Sequence, residues 1–109
     1  MIISTNLPDS AEFVINIMGK EGAVGLYEEA FNSALMDMHS DPTSSIKDGI
    51  EKVILNELPR EAVDDKELAI LTNSITSNVG EVIIDNEELL MVPSIIVKRI
   101  GDHNIVVEY

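Results

Sequence analysis

The chain contains no cysteine and no tryptophan, and its aromatic complement is two Phe and two Tyr. Without cysteine it has no disulfide framework, no thiolate nucleophile and no thiolate-ligated zinc. Trp and Tyr dominate high-energy contact sites, and aromatic rings supply the stacking platforms for single-stranded nucleic acid, so both resources are scarce here. Basic residues are few as well: seven Lys and Arg stand against twenty Asp and Glu, a formal charge of -13. A field of that sign repels the backbone of DNA or RNA and disfavours an anionic lipid surface, so neither direct nucleic-acid binding nor membrane binding is expected. No apolar run approaches the ~20 residues that span a bilayer. The opening MIISTNLPDS lacks the basic segment and apolar core of a signal peptide. The expected compartment is the cytoplasm.

What is abundant is aliphatic bulk: apolar residues make up 45% of the 109, with 15 Ile, 10 Val and 9 Leu. A chain of this length buries roughly 65% of its extended-chain surface, enough for a core without staples. No Pro-, Gly- or Ser-rich stretch divides it, and no repeat or sustained heptad is present, so one domain over residues 1–109 is expected.

Ile2 and Ile3 read as a short opening strand closed by Leu7-Pro8. Asp9 or Ser10 then caps a short helix bearing Phe13, Val14, Ile17 and Met18 on one face, with Gly19 placed to end it. A second helix is signalled by Ala23, Tyr27, Ala30, Phe31, Ala34 and Met38, with Glu28, Glu29 and Asn32 off that stripe. It stops where Asp41-Pro42 forces Asp41 out of helical geometry. A third helix starts near Ser45, with Ile46, Ile50, Val53 and Ile54 opposite Lys47, Asp48, Glu51 and Lys52. Asp64 and Asp65 open a fourth, where Leu68, Leu71, Ile75 and Val79 form the buried stripe and Gly80 the expected terminator.

Beyond Gly80 the pattern reads as strand: Glu81 to Ile84, then Leu89 to Val92. IIVKRI and IVVEY, separated by Gly101-Asp102-His103-Asn104, make the best hairpin in the sequence. A two-residue turn at Asp102 and His103 pairs Ile100 with Ile105, Lys98 with Val107 and Ile96 with Tyr109, a face apolar except for Lys98. The predicted fold is α+β: about four helices over residues 9–79, packed on a small, mainly antiparallel C-terminal sheet over residues 80–109.

Chemistry is harder to find. His39-Ser40-Asp41 has the residue types of a catalytic triad, but neighbours in sequence do not converge into triad geometry, and no Gly-x-Ser-x-Gly elbow surrounds Ser40. The six Gly are scattered at boundaries and form neither a P-loop nor a dinucleotide fingerprint. Asp85-Asn86-Glu87-Glu88 offers oxygen ligands without the order of a calcium loop, and Asp37, His39 and Asp41 offer a partial metal shell. A solvated turn and a helix end account for both groups, so no catalytic residue, cofactor or metal is expected. Nucleic-acid mimicry would need carboxylates along a continuous surface, whereas acids here never run beyond the pairs Glu28-Glu29, Asp64-Asp65 and Glu87-Glu88, so it stays a minority reading supported by net charge alone.

One face stands apart. After Glu67 the outward positions of the fourth helix are Thr72, Asn73, Thr76 and Ser77, neutral residues that also weaken a helix. Charge depletion is the mark of an interface core, so these four are the candidate protein contact; the alternative is a frayed end before Gly80. The leading functional expectation is a non-catalytic interaction protein of inhibitor, immunity or viral host-targeting type, bound stoichiometrically to a basic protein. A homo-oligomeric structural or assembly subunit is the alternative, motivated by the aliphatic excess, the neutral face and a free sheet edge. An enzyme with an unrecognised carboxylate site is the third.

Overall fold

Pro8, extended at φ -77° and ψ 159°, separates a first strand, β1 (Ile2–Asn6), from a long helix, α1 (Asp9–Ser40). The structure is a computed structural model and describes residues 1–41, 43 and 45–109. The two N-terminal helical runs expected separately are one element bent at Gly19, whose φ of 79° and ψ of 170° are not helical. The bend is sharp. Ser10 Oγ and Tyr27 OH meet at 2.8 Å in the core although they are 17 residues apart, a separation that straight helix would stretch to about 25 Å. Burial pushes the Tyr27 phenol up to about 12, and the Ser10 bond acts in the opposite direction.

Gly19 occupies a backbone region that is essentially closed to any other residue. Gly22 is needed for a different reason: a Cβ there would lie 2.6 Å from the Met18 Cβ. Gly25, three residues on, has ordinary helical geometry and open space. Gly19→Ala is therefore expected to lose about 1–3 kcal/mol of stability, while Gly25→Ala gains about 0.5–1 kcal/mol. Thermal or urea denaturation of the pair checks this. Equal effects would mean that the bend does not depend on Gly19.

Asp41 leaves the helix at φ -154° and ψ 108°, as a residue ahead of proline should; Pro42 itself lies outside the described residues. The next helix, α2 (Lys47–Glu57), buries Ile50 and Ile54 and stops at Leu58. The third, α3 (Asp65–Asp85), opens on a full capping box: Asp64 Oδ1 accepts from Glu67 N at 2.7 Å while Glu67 Oε1 accepts from Asp64 N.

The structure thus has three helices rather than about four, and α3 does not end at Gly80. Val82 and Ile83, expected in a strand, continue the buried stripe of Leu71, Ile75 and Val79, so core burial overrides both the glycine and the β-branched run. Asn86 terminates the helix, its amide and side chain both donating to Val82 O. Leu89 to Met91, also expected extended, belong to a 3-10 turn, Glu87–Met91, that seats Leu89 in the core.

The remaining strands are β2 (Ile96–Ile100) and β3 (Asn104–Glu108), and the antiparallel sheet has the order β1-β3-β2. The opening strand lies at one edge, next to β3. In the hairpin Ile100 faces Ile105 and Arg99 faces Val106, as the turn geometry requires. The register then shifts, so that Val97 faces Val107 and Ile96 faces Glu108. The physical reason is Lys98. Regular pairing would bury its ammonium on the apolar face; the bulge puts Val97 there instead and leaves Lys98 outside, 3.0 Å from the Glu108 carboxylate.

The free edge of β2 is closed by a helix. Asn32 Nδ2 donates to Ile95 O at 2.9 Å, Ile95 N donates to Asn32 Oδ1 at 2.8 Å, and Val97 N donates to Glu28 Oε1 at 2.9 Å. Four residues of helix rise about 6 Å and two residues of strand about 6.7 Å, so alternate groups of the edge meet successive turns of α1. α1 packs on α2, α3 and β2. Its Tyr27, Phe31 and Leu35 form the middle of a core that Ile50, Ile75 and Ile105 complete from the other elements.

Candidate functional site

The structure splits the four neutral residues of α3. Thr72 is only 2% exposed and lines a cleft with Lys47 and Glu51 of α2, so its place among the outward positions is corrected. Thr76 and Gly80 follow at four-residue spacing, and Gly80 lies in contact range of Ile46 just before α2. Thr72 thus borders the packing of α3 on α2. The Oγ1 atoms of Thr72 and Thr76 are buried with no hydrogen-bond partner among the described residues.

Asn73 and Ser77 are exposed. They lie on an outer stripe that also carries Ile70, Glu81 and Ile84 at helical spacing, the two isoleucines 61% and 68% exposed. Both isoleucines sit beside apolar hollows edged with carboxylates. Near the start of α3, Phe13, Ile70 and Leu71 line a groove of about 270 Å³ with Ser10, Ser74, Asp9 and Glu67 around them. Near its end, Ile84, Leu90 and Met91 line a wider hollow with Glu87 and Glu88. The sequence does carry a signal for Ile70, which is out of phase with the Leu71, Ile75 and Val79 stripe. Ile84 was hidden by its assignment to a strand.

The weaker chemical candidates have structural roles. His39 stands in the last turn of α1 and hydrogen-bonds the Leu90 carbonyl through Nε2 at 2.8 Å, tying the helix to the 3-10 turn. Asp41 is engaged by the amide and hydroxyl of Thr43, which hold its carboxyl below the usual carboxylate range. Glu88 accepts from the Tyr109 hydroxyl at 2.9 Å. No cluster of three or more His, Asp or Glu side chains that could hold a metal occurs among the described residues. One pair of acids is drawn together: a hydrogen bond with Glu57 raises the Glu29 carboxyl above its ordinary range, and burial and the charges of Glu57 and Glu28 add to the shift. Glu29 is exposed on α1, away from the residues that line the two hollows. No helix among the described residues is long and apolar enough to cross a membrane.

No family model, curated protein or solved structure matches the chain.

Proposed function

We propose that the chain is a non-catalytic interaction protein that binds a basic protein stoichiometrically, as an inhibitor, an immunity-type protein or a viral host-targeting factor does. The observation that supports this reading is the company its exposed aliphatic side chains keep. Ile70 lies beside Asp9 and Glu67, and Ile84, Leu90 and Met91 lie beside Glu87 and Glu88, in a chain of charge -13. An apolar centre with a charged rim is the anatomy of a contact surface, and the sign of the rim selects a basic partner.

Affinity capture from the native host followed by stopped-flow association tests it. The on-rate of the purified partner is expected to fall about tenfold or more between about 0.05 and 0.5 M salt, because opposite charges steer the encounter and salt screens them. An on-rate indifferent to salt would reduce the acidity to a matter of solubility.

One observation favours homo-oligomerisation as the second reading. β1 is an edge strand with no charge in Ile2–Asn6, and Ile2 is 64% exposed, so it lacks the charged residues that usually guard a free edge. Light scattering at micromolar concentration separates the two: a monomer counts against the oligomer, and a salt-insensitive dimer or ring supports it.

A further inference from the structure

We propose that the groove between the first turns of α1 and α3 seats an apolar side chain from a basic amphipathic segment of the partner. The proposal rests on the basic-partner reading above and adds the place of contact and the form of what binds there. Three observations support it. The floor is apolar, made of Phe13, Ile70 and Leu71, and Ile70 remains 61% exposed, an aliphatic side chain left in water beside a hollow it does not fill. The volume of about 270 Å³ lies just below the roughly 300–1,000 Å³ of pockets that enclose whole small ligands, and suits a side chain delivered by a larger molecule. The rim is acidic on both sides: Asp9 from the first turn of α1 and Glu67 from the first turn of α3 both line the groove, and no Lys or Arg does. A lone apolar peptide would gain nothing from that rim, whereas Lys or Arg flanking the inserted residue would lie against the carboxylates with their aliphatic stems on the groove walls.

The hollow of Ile84, Leu90 and Met91 is the rival position, and it is shallower in its supports: its apolar members come from one helix end and the turn that follows, with no second helix as a wall. The α1–α3 groove has walls from two helices, each begun by a fixed feature, Pro8 for one and the Asp64–Glu67 capping box for the other.

The test uses the intact protein, isotope-labelled for NMR. Its probes are a Leu/Lys helical peptide of about four turns with its leucines on one face, and a scrambled peptide of the same composition. The amphipathic peptide is expected to shift the amide signals of Phe13, Ile70, Leu71 and Ser74, and the scramble to bind more weakly. Ile70→Ser, which alters an exposed position and leaves the core intact, should weaken peptide binding about tenfold. Ile84→Ser should leave it unchanged. If the peptide binds in a salt-sensitive way but its shifts centre on Ile84, Leu90 and Met91, or Ile70→Ser has no effect, the groove assignment is overturned while the basic-partner reading stands. Equal binding of the two peptides also overturns the groove. If neither binds even at low salt, both the groove and the basic-partner reading fall.

Discussion

Truncating Ile50 to Ala is expected to remove about 2–5 kcal/mol of stability, against less than about 0.5 kcal/mol for Lys47→Ala one turn earlier. The contrast follows from the phase of α2. Ile50 is fully buried and Lys47 is exposed, on a helix of 11 residues whose own buried side chains are only Ile50 and Ile54. Such a short helix has little stability of its own and is held by what it buries. The upper half of the range is favoured because the cavity cannot close readily. Gly49 brings α2 so near α1 that a Cβ there would meet Ser33 Oγ at 2.6 Å and Asp37 Oδ2 at 2.8 Å. With that contact already tight, α2 has no room to slide into the space an Ala would leave. Urea unfolding at unchanged m-value measures the difference, and Lys47→Ala proving the more damaging change would mean that the face assigned to the core is the wrong one.

The same short helix shows what kind of information the sequence makes plain. Ile46, Ile50 and Ile54 recur at the helical period with charges between them, and no rival period competes, so its buried face could be read directly. The hairpin was equally legible from its turn residues. Where local signals conflicted, the structure followed burial. Gly80 and the β-branched residues around Val82 look like a helix stop and a strand, but Val82 and Ile83 complete a stripe begun at Leu71. The bulge at Lys98 had a visible motive, a lone cation on an apolar face, without a visible remedy.

The neutral face of α3 was half legible. Thr72 borders α2 within the molecule, and a one-dimensional pattern does not distinguish an internal neighbour from a partner. The outer stripe of Ile70, Asn73 and Ser77 gains Glu81 and Ile84 only when the helix is extended to its true end. The groove beside Ile70 draws residues from segments far apart in sequence, Phe13 and Ile70 among them, which no spacing rule connects.

Replacing Asn32 with Leu is expected to cost about 2–4 kcal/mol, because it orphans two backbone groups at once and each unsatisfied group costs about 1–3 kcal/mol. Off the apolar stripe of α1, Asn32 reads as an ordinary solvated residue. In the fold its carboxamide takes the place of a neighbouring strand, accepting from Ile95 N and donating to Ile95 O, while Glu28 one turn earlier accepts from Val97 N. Leu preserves the size of the side chain and removes both functions, so the loss isolates hydrogen bonding from packing. The site is only partly buried, and water entering it would hold the cost to the lower half of the range. Glu28→Gln keeps an acceptor oxygen for Val97 and should be nearly silent. Amide hydrogen exchange provides the local reading: in Asn32→Leu the Ile95 amide should lose protection more than the Ile105 amide in the centre of the sheet. An edge strand without its cover is also a template for pairing with another chain, so the variant should associate more readily on concentration than the parent. If Asn32→Leu unfolds within about 0.5 kcal/mol of the parent and the Ile95 amide stays protected, the helix is not what closes this edge, and β2 is held by its pairing with β3 alone.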